Sequence, residues 1–111
     1  MKTLTVNTQE EFNTMIDVHD FRIVEAIVEG ALQNLKSSKR FIHILSVEVE
    51  EDNDIYDLTL DRSEFLICLK TNLKHYEKNE LYEKCQEIVK AINFLEEKIK
   101  KGGKKINISY S

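Results

Sequence analysis

The densest group of chemically active side chains is an acidic stretch between residues 48 and 57. Its members are Glu48, Glu50, Glu51, Asp52, Asp54 and Asp57. Carboxylate oxygens are the ligands that calcium and magnesium prefer, so the stretch has the chemistry to hold a divalent cation. It lacks the central glycine and the terminal glutamate of an EF-hand loop. We therefore interpret it as the solvated end of a β-hairpin and predict no metal site.

The histidines, cysteines and serines are too scattered to predict a metal centre or a nucleophile. His19, His43 and His75 lie far apart, and none has the i, i+4 partner of a zinc motif. We expect the His43 side chain to lie on the core face of a strand and to form a hydrogen bond with a carbonyl or carboxylate group. No serine lies in an elbow motif, and neither cysteine has the flanking pattern of a thiol enzyme. The sequence therefore predicts no catalytic residue, no cofactor and no enzymatic activity.

Positive charge is concentrated in the second half of the chain. Residues 1–60 carry 5 Lys/Arg against 12 Asp/Glu, whereas residues 61–111 carry 11 against 8. Five of these lysines lie in the run from Lys98 to Lys105, which makes a phosphate backbone a conceivable partner. A pI of about 5.4 favours a protein partner over nucleic acid, and the lysines also complement a helix C-terminus. Nucleic acid stays the second choice of partner.

Local signals predict the elements that must position these residues. Capping residues mark the starts of the first three helices, a change in the phase of the apolar stripe marks the fourth, and each strand shows a period of two. The predicted elements are a strand at 2–6, helices from Thr8 and Asp20, strands at 41–50 and 55–60, helices from Asp61 and Tyr82, and a strand at 106–110. Gly102 and Gly103 are expected to end the last helix. The prediction is one α+β domain over residues 1–111, in the order β-α-α-β-β-α-α-β, with about four strands in one sheet and helices mainly on one face.

Alternation along the strand at 41–50 predicts which side chains face the core. The expected core face consists of Phe41, His43, Leu45, Val47 and Val49. Ile42 and Ile44 then lie on the opposite face, where pairing with a second copy would cover them. The sequence therefore predicts a homo-oligomer, most simply a dimer. Gly30, inside the second helix, predicts a close crossing by another element.

Residues 82–96 resemble the second helix of a UVR-type hairpin, a partner-binding module of repair and protease-adaptor proteins. With the preceding helix, the resemblance spans residues 65–96 and implies an αα-hairpin with an amphipathic face. The charged signature of that family is replaced here by Ile88-Val89-Lys90, so no binding residue is carried over from it. The short chain, rich in lysine, asparagine and isoleucine, also resembles accessory proteins of tailed bacteriophages. That resemblance implies a small protein that binds and modulates a host or phage factor.

The leading hypothesis is a non-catalytic interaction protein, an adaptor or inhibitor, with a protein as its partner. The core stripe of the helical hairpin is expected to run through Phe65, Leu69, Leu73, Val89 and Ile92. Partner binding then falls to the outward residues Lys74, Tyr82, Lys90 and Phe94. The alternative is a ligand-binding protein or small enzyme that handles a nucleotide-like metabolite around His43, Tyr56 and the lysines. A pocket with convergent polar groups would favour the alternative.

Two features bear on location. No apolar run approaches the roughly 20 residues that cross a bilayer, and the first residues do not form a signal peptide. The expectation is a cytoplasmic protein that is not embedded in a membrane.

Overall fold

The computed structural model describes the backbone of residues 3–110 and the side chains of residues 3–100. This described part has an α+β architecture. Its elements are β1 (Thr3–Val6), α1 (Gln9–Asp17), α2 (Phe21–Gln33), β2 (Phe41–Val49), β3 (Asp54–Asp61), a 3-10 turn (Arg62–Glu64), α3 (Phe65–Lys78) and α4 (Tyr82–Tyr110). A first compact unit ends at Phe65, and a second begins at Leu66. The expectation of one domain over residues 1–111 stays a prediction.

The first unit is built on a sheet with the strand order β1-β2-β3. β1 runs parallel to β2, and β3 runs antiparallel to it. A parallel pair cannot be joined by a tight turn and needs a crossover connection, which α1 and α2 supply. Phe12 of α1 stacks on Tyr56 of β3 with the ring centroids 5.4 Å apart. The crossover therefore covers the face of the sheet that carries Tyr56.

The predicted starts of α1 and α2 are confirmed. The Thr8 hydroxyl accepts a hydrogen bond from the Glu11 amide at 3.1 Å, and the Glu11 carboxylate accepts one from the Asn7 amide at 3.0 Å. Asp20 caps α2 by accepting from the amide of Arg22 at 2.9 Å. These side chains satisfy amide groups that have no partner within the helices.

A β-bulge changes the phase of β2. His43 pairs with Thr59, but the next pair joins Leu45 to Leu58, so Ile44 is an extra residue on the β2 side. An extra residue moves every side chain on one side of it to the other face of the sheet. Strict alternation along β2 therefore gives the wrong face for the residues that precede the bulge.

The faces predicted for Phe41 and His43 are wrong, because both side chains are exposed and on the non-core face. Ile42 and Ile44 are buried instead, with 4% and 8% of their surface exposed. A Cβ atom added to Gly30 would lie 2.6 Å from Ile44 Cδ1, so the predicted close crossing at Gly30 is confirmed as the approach of α2 to β2. The two isoleucines therefore give no support to a dimer, because they are already covered.

The second unit contains most of α3 and all of α4, which form a helical hairpin. Asn79 to Leu81 connect the helices, and the Lys70 ammonium of α3 lies 3.1 Å from a carboxylate oxygen of Glu96 on α4. Glu80 takes a left-handed conformation with φ of 57°, which lets the chain reverse. The antiparallel helices place their apolar residues at spacings of three and four toward a common core.

The predicted fourth strand is wrong, because α4 continues to Tyr110 and includes residues 106–110. Within the described backbone the sheet has three strands. Glycine lowers helix propensity by about 1 kcal/mol but keeps its amide donor, so Gly102 and Gly103 do not by themselves end a helix. No helix of the described part combines the length and the apolar character needed to span a bilayer.

Candidate interaction surface

A serine, a histidine and an aspartate meet on the face of the sheet opposite the core, where the serine, Ser46, is itself buried. Ser46 and Asp57 are direct register partners on β2 and β3, and the bulge brings His43 beside them. His43 Nε2 lies 3.2 Å from Ser46 Oγ and 3.3 Å from Asp57 Oδ1. Ser46 Oγ donates to the same Asp57 oxygen at 2.6 Å. Residue spacing alone does not indicate this cluster, because its assembly depends on the strand register and on the bulge.

The arrangement does not match that of an acyl-transfer triad. In such a triad the serine hydroxyl donates a hydrogen bond to one imidazole nitrogen, and the carboxylate accepts a hydrogen bond from the N–H group of the other nitrogen. Here one nitrogen of His43 faces both groups, and the serine proton points to the carboxylate. The hydrogen bonds from Ser46 and from His43 lower the pKa of Asp57, which makes this carboxylate a weak base. The cluster therefore links β2 to β3 and does not activate Ser46.

The acidic stretch forms the end of the β2–β3 hairpin, as predicted, with Asn53 in a left-handed turn conformation. Gln9 of α1 holds this end: its amide donates to a Glu51 carboxylate oxygen at 3.4 Å, and its side-chain oxygen accepts from the Tyr56 hydroxyl at 2.9 Å. Among the described side chains, no group of three or more His, Cys, Asp or Glu residues could hold a metal ion. The absence of a metal site stays a prediction.

A polar groove of about 580 Å³ lies between α2 and the first half of β2. Its polar lining side chains are Glu25, Glu29, Gln33, Asn34 and His43. Two carboxylates would repel the phosphate groups of a nucleotide, and the described lining contains no lysine or arginine that would attract them. Tyr56 lies elsewhere, against α1. This groove therefore does not have the composition expected for the nucleotide-binding alternative.

A second groove, of about 390 Å³, runs along α4 in the second unit. Its lining residues are Tyr82, Cys85, Gln86, Val89 and Lys90. These positions recur at spacings of three and four and so share one side of the helix. Tyr82 is 62% exposed and Val89 is 42% exposed, which leaves an aromatic and a branched aliphatic side chain open to solvent. We call these five residues the α4 groove.

The chain matches no protein-family model, no curated protein and no solved structure. Its own surface chemistry is therefore the ground for a functional proposal.

The four side chains predicted to bind a partner are all exposed, but they do not form one surface. Tyr82 and Lys90 line the α4 groove, whereas Phe94 and Lys74 are not among its described lining residues. Phe94 follows Lys90 by one turn and lies about 120° around the helix from Tyr82. Partner binding by any of the four stays a prediction. The structure favours Tyr82 and Lys90 as members of one site.

The core stripe predicted for α4 is wrong at Val89, whereas Ile92 is buried as predicted. Val89 was expected in the core, but Ile88 is fully buried in its place, and Ala91 is buried beside Ile92. Ile88 and Val89 are adjacent apolar residues, so both phases fit a 3.6-residue period and the sequence alone does not decide between them. Burial of Ile88 turns Val89 outward, where it completes the α4 groove, and residue spacing alone does not predict this groove for that reason.

Proposed function

We propose that the protein is a non-catalytic interaction module that binds a protein partner through the α4 groove. The observation that carries the proposal is the exposure of Tyr82 and Val89 on one side of α4, next to the ammonium group of Lys90. Exposed aromatic side chains anchor interfaces because they bury a large area at a small cost in conformational entropy. The cluster of Ser46, His43 and Asp57 does not have the geometry of an acyl-transfer triad, which supports a non-catalytic role.

The groove chemistry defines the kind of segment that fits. Tyr82 and Val89 provide apolar contact area, and Lys90 provides a cation at the rim. A partner helix with an apolar ridge and a flanking carboxylate complements both features. A phosphate backbone complements only the lysine, so the groove supports a protein partner better than nucleic acid. A second copy of this chain is a further candidate occupant of the groove. Light scattering over a wide concentration range tests for it, because self-association would raise the measured mass with concentration.

Comparative affinity capture tests the proposal. The tagged protein and its Tyr82→Ala and Lys90→Glu variants are used as bait in extracts of the native cell, with and without phage infection, because of the resemblance to phage accessory proteins. Ile67→Ala is the matched control, since Ile67 is an exposed aliphatic residue of the second unit on α3. Thermal melting of every variant checks that the fold is intact, with shifts below about 2 °C expected at such exposed positions.

The captured partner is then purified and its affinity is measured directly. Tyr82→Ala is expected to weaken the affinity about tenfold or more, which corresponds to about 1.4 kcal/mol. Ile67→Ala should leave the affinity unchanged. Full retention of the partner by Tyr82→Ala and Lys90→Glu would show that the α4 groove is not the binding site. A Phe94→Ala variant with the same loss would extend the site around the helix.

A further inference from the structure

β3 leaves one edge of the sheet open. It pairs with β2 on one side, and no described strand lies on its other side. Residues 54–57 and Thr59 are exposed along this strand. In an edge strand, alternate amide and carbonyl groups point outward without a strand partner. The first unit thus presents an open hydrogen-bonding edge, the sheet feature to which an extended peptide can add.

This edge lacks three of the features that commonly protect a sheet against added strands, namely proline, lysine and a bulge. β3 spans eight residues and contains no proline and no lysine or arginine. The extra residue of the bulge belongs to β2, so it does not interrupt β3. Proline, lysine and bulges on the edge strand itself are the common means of blocking such pairing. Their absence leaves β3 competent to accept a partner strand.

The charged side chains of β3 determine which kind of strand can pair with its outer edge. β3 carries Asp54, Asp57 and Asp61, and in a centred antiparallel pair of two β3 strands Asp54 would face Asp61 at both ends. Like charges that face each other across strands destabilise the pair, so a second copy is disfavoured. Of the three, Asp61 already lies 3.6 Å from Arg40, and Asp57 is bonded to His43.

The carboxylates of the first unit are most closely spaced at the hairpin end of this edge. Residues 48–57 contain six carboxylates and no lysine or arginine. Ile55 lies in the same segment and is 62% exposed, which provides one apolar contact for an added strand. The chemical complement of this edge is an extended segment in which lysine or arginine alternates with aliphatic residues.

We propose that the outer edge of β3 binds an extended basic peptide segment of a protein partner, which adds to the sheet as a fourth strand. This site lies in the first unit and uses no residue of the α4 groove. Its success or failure is therefore independent of the proposed function of that groove.

The probe is a capped peptide of alternating lysine and valine, eight residues long to match β3. Binding to the full chain is measured by calorimetry and by amide chemical shifts. Three outcomes are expected: saturable shifts confined to residues 54–61 and their neighbours, no binding of a peptide with glutamate in place of lysine, and no binding of a peptide whose alternate amides are N-methylated. Raising the salt from about 50 mM to about 500 mM should weaken the binding severalfold.

A pair of charge variants separates local from general electrostatic attraction. Asp52→Asn combined with Asp54→Asn should weaken binding of the lysine peptide about fivefold. The matched control, Glu83→Gln combined with Glu97→Gln, removes two exposed carboxylates of α4 and should leave it unchanged. Equal losses of peptide affinity in both double variants would overturn the proposal. Amide chemical-shift changes on α4 instead of β3 would also overturn it. If the β3 amides become protected from hydrogen exchange as the protein concentration rises, without any peptide, a second copy of the chain occupies the edge. That result would also overturn the proposal.

Discussion

Replacing Gly30 by alanine tests how closely α2 approaches β2. The added Cβ would lie 2.6 Å from Ile44 Cδ1, well inside van der Waals contact, but 3.5 Å from Ile42 Cδ1, which is an ordinary contact. The close neighbour is the end of one buried side chain, so the clash is relieved if Ile44 leaves its rotamer. We therefore expect α2 to keep its place and the cost to fall on Ile44.

Two contributions to the free energy of unfolding then oppose each other, and they are of similar size. Forcing Ile44 away from its rotamer costs about 1 kcal/mol, and alanine gains about 1 kcal/mol over glycine inside a helix. Gly30→Ala alone should therefore change the free energy of unfolding by less than about 0.5 kcal/mol. Ile44→Val removes the Cδ1 atom and costs about 1 kcal/mol by itself. In that background Gly30→Ala should stabilise the fold by about 1 kcal/mol, because only the helix-propensity gain remains.

The assay is urea unfolding followed by circular dichroism for the wild type, both single variants and the double variant. The expected coupling between the two sites is about 1 kcal/mol. Ile55→Val is the control background. It removes the same Cδ1 methyl group as Ile44→Val, but from an exposed side chain away from α2. If Gly30→Ala has the same effect in the wild-type and Ile44→Val backgrounds, the close approach of Gly30 to Ile44 is refuted. A strong loss in both backgrounds would refute the assumption that α2 stays in place.

Three further predictions address side-chain bonds and metal binding. Arg62 donates to three main-chain carbonyl oxygens between residues 34 and 39, so Arg62→Lys should lower the free energy of unfolding by about 1–3 kcal/mol in urea titrations. The hydrogen bond from the Arg22 side chain lowers the pKa of Asp20. Because the folded-state pKa is the lower one, the carboxylate stabilises the fold above about pH 4, and this contribution is lost as the pH falls through the folded-state pKa. The stability difference between wild type and Asp20→Asn should therefore be larger at pH 7 than at pH 3, and an equal difference would contradict the shift. Millimolar calcium or magnesium should leave the melting temperature unchanged relative to chelator, whereas a clear rise would indicate a metal site within residues 48–57.

The order of the elements up to α4 could be predicted because its signals are local. Thr8 and Asp20 cap their helices through bonds to amides two or three residues away, so the sequence contains both partners of each bond. The hairpin of β2 and β3 follows equally from a polar turn between two alternating runs. Local signals failed at residues 106–110, where alternation suggested a strand and the chain continues α4. A strand requires a neighbouring strand, and no local pattern supplies that information.

The face of each β2 residue could not be predicted because it depends on β3. Ile44 becomes the extra residue of a bulge only in the register that joins His43 to Thr59 and Leu45 to Leu58. Alternation alone predicted the reverse faces for the first part of the strand. The same register places Ser46 opposite Asp57. A long-range pairing therefore determines both the core and the polar cluster, and neither could be derived from residue spacing.

The two proposed surfaces select partners of opposite charge, and the sequence distributes its charges accordingly. Six Lys/Arg and 14 Asp/Glu precede Leu66, whereas 10 and 6 follow from Leu66 onward. The acidic edge of β3 attracts a basic strand, and the α4 groove with Lys90 attracts an apolar segment with a carboxylate. A single peptide cannot satisfy both surfaces with one charge pattern, so competition between a basic strand peptide and the partner of the groove should be absent. Mutual displacement would show that one of the two sites is assigned to the wrong surface.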